Sequence, residues 1–383
     1  QLGLSIQFPD INRSLYKFEP VDEQTVMYGL GAIKGLGEAA IEVIIEERER
    51  NGVYQDIHDF CKRVVSRKVN KRAREARIRA GGFDAIEASR AQVMADLPRA
   101  MEIAEQNNQN HTAGQGDLFG LAVASVIPEK RSVSAWNELR RLSEEREALG
   151  LYLTGHPFDY YREELETVSD MPRCESIKDS LANAVIAGMI VDMRVINTRR
   201  GDKMAFICLD DGVSRVEVSV FSELYTLCHA LLNKDKILVV AGELKRKDGG
   251  GDLEMIAQSV SDVSALRQEK LQAIRISVSA SALDRARIDE FRKVLSSHLQ
   301  QGRVLIELAY QRANGVQGIL RLGDDWRVKA CDDLFDRIAE QFGEASIHYI
   351  YDAGEIRNGL TYKAPPPRFQ YNRRGSSKPQ ASV

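Results

Sequence analysis

The sequence has 383 residues, a formal net charge of −3, 43% apolar and 28% charged side chains, the balance of an ordinary globular protein. That length allows two to four domains of ~100–200 residues; no apolar run reaches the ~20 residues that cross a bilayer, and the first residues lack a secretory pattern. Five cysteines (Cys61, Cys174, Cys208, Cys228, Cys331) form no CxxC pair, and six scattered histidines keep no ligand spacing to them. This argues against zinc and for a reduced, cytosolic compartment in which the thiols act as small buried hydrophobes. An initiator Met is missing, so Gln1 reads as a cut inside a longer chain.

Residues 1–90 read as mostly helical, with periodic segments from Ala39 to Arg48 and after Asn70. Ahead of the first stands Ala32-Ile33-Lys34-Gly35-Leu36-Gly37-Glu38-Ala39-Ala40-Ile41. A Gly-apolar-Gly hairpin opening a helix with small residues in its first turn has the pattern of a helix-hairpin-helix motif. Gly35 and Gly37 let the backbone approach a phosphate, the N–H groups of the helix start face the anion, and Lys34 adds a point charge. Such contacts hold a duplex without reading its sequence. The bland alternative is a Gly-rich turn between packed helices. Residues 62–79 then carry nine basic side chains (Lys62, Arg63, Arg67, Lys68, Lys71, Arg72, Arg74, Arg77, Arg79) against Glu75. That stretch is either a phosphate-binding patch, with Lys68, Lys71 and Arg72 as contacts, or a solvated helix face.

A helix is expected over residues 91–106, followed by Asn107 to Gly116, which lacks apolar periodicity and reads as an exposed linker. Just after it, Gln115-Gly116-Asp117-Leu118-Phe119 presents two large apolar residues with no partners in sequence. A further helix near residues 135–149 places Leu139, Leu142 and Leu149 on one side.

From about Ala184 the period changes to two. Val185–Val191, Met204–Leu209, Val216–Val220, Ile237–Gly242 and Leu253–Ala257 read as five strands, with one helical stretch, Ser222–Leu232, after the third. That order is the pattern of an OB-fold. Arg194, Arg199, Arg200 and Lys203 flank its first hairpin, Phe206 offers a stacking surface, and Lys245, Arg246 and Lys247 fall in the loop before the last strand. Basic groups around an aromatic suit a single nucleic-acid strand, although many OB folds bind only protein. An α/β module follows, with strands at Ala273–Val278, Val304–Tyr310, Gln317–Leu322 and Ser346–Tyr351, a turn at Asn314-Gly315, and helices near 283–299 and 333–342. In it Trp326 reads as a core residue sooner than a binding anchor. Ala364 onward, rich in Pro, Gly, Ser and basic residues, reads as disordered.

Several blocks together resemble the C-terminal portion of the bacterial DNA polymerase III alpha subunit, a C-family replicative polymerase. They are Pro9–Ser14, Tyr28–Gly37, Asp59-Phe60-Cys61, Val69-Asn70-Lys71-Arg72, Gly81-Gly82-Phe83-Asp84 and Leu149–Pro157, and the likeness runs on to about Tyr351. Departures stand at Arg74 and Arg77, where the family usually has leucine, and at Ala73, where it has valine; they bear on how the second hairpin packs. The resemblance implies a multidomain α+β chain: the end of a fingers region (1–27), a helix-hairpin-helix domain (28–112), a clamp-binding peptide (113–121) and a helical connector (122–183). An OB-fold barrel (184–266), a C-terminal module similar to the one that binds the clamp-loader tau subunit (270–352) and a disordered tail (353–383) complete it. Gln115, Asp117, Leu118 and Phe119 are similar to the peptide by which replication proteins dock on the sliding clamp, with the two apolar residues filling a pocket. Primer–template DNA, single-stranded template, the sliding clamp (beta subunit) and tau are the partners it implies, in the cytoplasm and away from membranes.

The parent enzyme implied is a DNA-directed DNA polymerase, a nucleotidyltransferase, whose carboxylates and Mg lie upstream of Gln1; this segment is expected to need no cofactor or metal and to be inactive alone. Phosphoryl transfer uses carboxylates converging on metal ions ~4 Å apart. The acidic pairs Asp210-Asp211, Asp324-Asp325 and Asp332-Asp333 instead fall at strand ends, turns or helix starts, where Asp serves local hydrogen bonds. The alternative is a repair or recombination protein built on the same two modules, and a third reading is a scaffold that binds only proteins.

Overall fold

A computed structural model of the chain describes residues 3–35, 37–64, 69–112, 133–171, 180–247, 253–279, 284–300, 302–311, 317–352 and 356. The chain divides into two compact units, residues 1–160 and 161–383. No described helix is long and apolar enough to cross a membrane.

In the first unit, strands β1 (Ser5–Gln7), β2 (Glu19–Pro20) and β3 (Thr25–Met27) form a small sheet in the order β1-β3-β2. Between β1 and β2 the block Pro9–Ser14 folds on itself, with Asn12 N donating to Asp10 Oδ1 at 2.8 Å and Asp10 N to Ser14 Oγ at 3.0 Å. It is then tied to later segments. The Asn12 side chain exchanges two hydrogen bonds with the backbone of Tyr54, and Arg48 donates to Ile11 O and Arg13 O.

Five helices follow: α1 (Glu38–Asn51), α2 (Ile57–Arg63), α3 (Lys71–Arg79), α4 (Arg90–Thr112) and α5 (Glu138–Leu149). Asp56, Asn70 and Asn137 each accept from a backbone N–H three residues on and so cap α2, α3 and α5, each cap contributing about 1 kcal/mol. The core gathers Ile11, Ile44, Val93 and Leu97 around Tyr54, Phe60 and Phe83. The three rings meet edge-on at centroid distances of 5.0 and 5.2 Å. Helix α4 runs to Thr112, into the segment read as linker. An already nucleated helix gains one hydrogen bond per added residue, so a polar tail prolongs it without an apolar face. Between residues 90 and 108 of this helix the last buried side chain is Ala104.

The second unit begins with α6 (Arg162–Leu165) and then closes a five-stranded barrel, β4 (Ser180–Asn197), β5 (Lys203–Asp210), β6 (Arg215–Val220), β7 (Ile237–Arg246) and β8 (Leu253–Asp262), in the order β4-β5-β6-β8-β7. Helix α7 (Ser222–Cys228) sits between β6 and β7. Ile186, Ile190, Ile207, Val218, Val240 and Met255 fill the interior. Where β7 pairs with β8 the register shifts at Ala241 and Gly242, Gln258 of β8 being the extra residue, and Gly242 is needed there because a Cβ would lie 2.1 Å from Ile256 O. Strands β4, β7 and β8 outrun the expected ones, since the apolar alternation marks only the part that faces the interior.

Helix α8 (Val263–Lys270) joins the barrel to a four-stranded sheet of β9 (Leu271–Ser279), β10 (Leu305–Gln311), β11 (Gln317–Arg321) and β12 (Ile347–Tyr351), in the order β11-β10-β9-β12. β9 and β10 run parallel, and α9 (Arg285–Ser296) and α10 (Asp332–Phe342) share their core. Trp326 is half-buried against that core under Arg292, 5.9 Å from its ring centroid. The turn expected at Asn314-Gly315 and the tail from Ala364 lie outside the described residues.

Candidate nucleic-acid interface

The hairpin ahead of α1 is anchored from below. Lys34 N donates to Ala148 O at 2.8 Å, and a Cβ built on Gly150 would lie 3.2 Å from Lys34 Cε and Nζ. The ammonium therefore sits over the C-terminal end of α5, where the helix dipole favours a cation, while the residue stays exposed. Gly35 has φ +81°, the left-handed region that glycine enters freely. At Gly35 and Gly37 a side-chain carbon would meet no atom within 4 Å. Helix α1 has no side-chain N-cap, and its first backbone bonds run from Ala40 N and Ile41 N to Gly37 O. The N–H groups of Glu38 and Ala39 precede the helical ladder, as the first amides of a helix do. Glu38 stands in the same turn, and its carboxylate complements the same helix end. Leu36 lies outside the described residues.

The other glycines of the Tyr28–Gly37 block do different work. A Cβ at Gly29 would come within 2.6 Å of the Lys17 carbonyl carbon, and one at Gly31 within 2.7 Å of Tyr16. These positions let the chain lie against residues 15–18, to which Leu30 N and Gly31 N donate.

The basic stretch 62–79 does not present one cationic face. Arg63 turns inward onto Glu47 and Asp59, both at 3.1 Å, and covers the Tyr54 ring at 4.5 Å. Arg79 pairs with Glu144 and Glu147. Arg74 and Arg77 are buried. Lys71 is exposed and 3.7 Å from Glu75, and Lys62 and Arg72 are exposed. Arg67 and Lys68 lie outside the described residues. Alternation of charge along the chain could not reveal this, because the side chains leave α2 and α3 in different directions.

Pattern reading missed a buried network behind these helices. Arg90 grips Asp84 at 2.6 Å and reaches Glu145 at 3.4 Å and Arg79 O at 3.0 Å. Glu145 is fully buried and accepts from Leu153 N and, at 2.9 Å and 2.8 Å, from Thr154 N and Thr154 Oγ1. The blocks at 81–84 and 149–157 are thus held by one ion cluster; a glutamate on the apolar side of α5 was the only signal for it.

On the barrel, Arg194 on β4 stands directly opposite Phe206 on β5, its guanidinium 5.3 Å from the ring centroid. Phe206 is half-buried and Arg194 exposed. Arg199 and Arg200 lie exposed in the turn of the same hairpin, and Lys203 faces Asn197 at its end. These five side chains therefore share one projecting hairpin, along which Met193, Val195 and Ile196 are exposed as well. Lys245 and Arg246 are in β7, not in a loop, because they pair with Glu254 and Leu253 of β8. Lys245 bonds Glu243 at 3.1 Å and Lys247 bonds Glu217 at 2.8 Å, so their charges are partly spent within the barrel.

Asp210, Asp211 and Asp324 bind neighbours in the chain, as expected, whereas Asp332 and Asp333 take partners distant in sequence. Asp210 accepts from Gly212 N and Arg215, Asp211 from Val213 N and Ser214 N, and Asp324 pairs with Arg327. Asp332 binds Arg267 and Tyr161, and Asp333 binds His298 and Arg337. Among the described residues no group of three His, Cys, Asp or Glu side chains is placed to hold a metal. Gln115, Asp117, Leu118 and Phe119 lie outside the described residues.

A hairpin-bearing helical domain followed by a closed OB barrel defines a protein of the nucleic-acid-handling class, and family models agree. A helix-hairpin-helix motif matches residues 3–93, an OB-fold nucleic acid binding domain residues 184–263, and the C-terminal domain of DNA polymerase III subunit alpha residues 290–343. DNA polymerase III subunit alpha of Vibrio cholerae is 37% identical over 355 residues, 92% of this chain and 30% of that protein. The subunit from Escherichia coli K12 is 36% identical over 359 residues, and that of Pseudomonas aeruginosa 35% over 369, each covering 31% of its own length. Over 92% of its length the chain matches DNA polymerase III alpha subunits, and it spans about a third of the length of the curated relatives it matches.

Proposed function

We propose that the chain is the DNA-handling and partner-binding portion of a replicative polymerase alpha subunit that works in the cytoplasm during chromosomal replication. The observation that carries this is the unbroken likeness to alpha subunits over 92% of the chain, together with the order of the hairpin, barrel and C-terminal modules. Lys34, Gly35, Gly37 and the amides that open α1 hold phosphates of primer–template duplex, assisted by Lys68, Lys71 and Arg72. Gln115, Asp117, Leu118 and Phe119 dock on the sliding clamp, their apolar pair supplying most of the binding energy. The Arg194–Phe206 hairpin takes single-stranded template by stacking and charge, and residues 270–352 meet the tau subunit of the clamp loader. Polymerisation belongs to the parent polypeptide, outside these modules.

Clamp binding by the purified chain beside Leu118→Ala/Phe119→Ala tests the reading. Binding by the wild type and its loss in the double variant are expected. A wild type that does not bind the clamp, or a variant that binds as well, refutes the clamp assignment.

A further inference from the structure

Helix α3 carries cationic side chains at 71, 74 and 77, three residues apart and hence along one stripe. The stripe sinks into the protein: Lys71 is exposed, Arg74 is 7% exposed and Arg77 fully buried. Arg74 Nη2 donates to Val64 O at 2.8 Å, and Arg77 Nη1 reaches Ala73 O at a long 3.4 Å. Arg74 Nε, Arg77 Nε and Arg77 Nη2 are shielded from solvent and have no acceptor among the described residues.

Among the described residues no carboxylate pairs with either guanidinium. The Arg77 guanidinium lies 6.0 Å from the Phe60 ring centroid. Burial pushes the nearby Tyr54 hydroxyl up to about 12 and the Cys61 thiol up to about 11, so both stay neutral, and the Tyr54 proton is already given to Ile44 O at 2.8 Å. Burial, with the charge of Arg74 beside it, pulls Arg77 down to about 9. A buried ion left unpaired costs several kcal/mol. Elsewhere in this molecule the rule is obeyed: buried Arg90 faces Asp84 and Glu145, and buried Arg267 faces Glu164 and Asp332. On α3 two cations have no counter-charge among the described residues.

We propose that Arg74 and Arg77 form an oxyanion site, filled by a phosphate-type group that enters from the Lys71 end of α3 and bridges the two guanidiniums. Arg77 Nε and Nη2 are neighbouring donors on one edge of the planar fork, the geometry that binds two oxygens of a tetrahedral anion side by side. Arg74 Nε supplies a third donor. A free oxyanion and a backbone phosphate of nucleic acid share this chemistry. The site stands on buried charge alone and does not depend on the duplex reading of the hairpin before α1.

The test is thermal unfolding of the whole chain, wild type beside Arg74→Leu/Arg77→Leu and Arg77→Lys. Each is measured in sodium phosphate, in sodium chloride of equal ionic strength, and in chloride with a short DNA duplex. General salting-out by phosphate acts on all three proteins alike. The wild type should gain a saturable rise in Tm from phosphate or from duplex that disappears in the double leucine variant and shrinks in Arg77→Lys, which keeps charge but loses the fork. A rise with phosphate and equal duplex affinity in all three proteins assigns the site to a free oxyanion. A duplex-specific rise, with a salt slope of binding lowered by about 1 for each contact removed, assigns it to nucleic acid. Equal responses of the wild type and the double leucine variant to both ligands overturn the proposal. Should the leucine variant not fold, an Arg77→Lys response equal to wild type overturns it.

Discussion

Arg267 binds Glu164 side-on, Nε to Oε1 at 2.8 Å and Nη2 to Oε2 at 2.6 Å, with both side chains almost wholly excluded from solvent. The third nitrogen, Nη1, holds Asp332 Oδ1 at 2.5 Å, Tyr161 donates to Asp332 Oδ2 at 2.9 Å, and the Tyr351 hydroxyl donates to Glu164. The Phe335 ring lies under the guanidinium at 4.5 Å. One cation thus ties α6, the connecting helix α8, the start of α10 and strand β12 together, and fixes how the C-terminal sheet leaves the barrel.

Removing one partner strands the other charge. Arg267→Ala or Glu164→Ala is expected to cost about 3–5 kcal/mol, read as a drop in the urea midpoint of unfolding. Arg267→Met/Glu164→Leu should cost clearly less than the two single changes combined. Additive losses would show that the two residues stabilise the fold independently.

The glycines separate by what surrounds them. Gly29→Ala or Gly31→Ala places a methyl within 2.7 Å of backbone or ring atoms, and overpacking of this kind costs about 1–3 kcal/mol. Gly37→Ala meets nothing within 4 Å and has φ −85°, so its unfolding midpoint should stay within about 0.5 kcal/mol of wild type. Circular dichroism melts of the three variants rank them directly.

Alkaline stability should report Tyr54. Its folded hydroxyl is raised to about 12 by burial, against the cation Arg63 that lowers it, whereas an unfolded tyrosine titrates near ~10. Between those values the unfolded chain has released a proton that the folded one keeps. Stability is therefore complete below pH 10 and falls as pH rises toward 12, by at most about 1.4 kcal/mol per pH unit for this group. Tyr54→Phe is expected to lose about 1 kcal/mol at neutral pH with the Ile44 hydrogen bond and to show a shallower alkaline decline. An identical decline in denaturant titrations at pH 9, 10 and 11 would remove Tyr54 as its source.

On the barrel, Phe206→Ala should weaken binding of a short single-stranded oligonucleotide by about 1–3 kcal/mol, the range for a stacked base. Arg199→Ala should act through charge, and so weaken binding more at low salt than at high. Fluorescence anisotropy at two salt concentrations distinguishes the two effects, and unchanged affinity in both variants would leave the hairpin a protein-binding element.

Much of this organisation was legible in one dimension. The change of period near Ala184, the periodic segment after Asn70 and the glycine hairpin before α1 are short-range signals, decided by neighbours in the chain. From these the sequence by itself determined the module order and the α+β class. It could not say where a charge goes. Nine basic residues at 62–79 look alike in a string, yet Arg63 and Arg79 end on carboxylates, Arg74 and Arg77 end in the core, and Lys62 and Arg72 remain at the surface. Likewise Glu164 meets Arg267 across 103 residues. Pairings of that kind are decided by tertiary structure, because a buried ion takes its partner from whatever element the fold brings within about 3 Å.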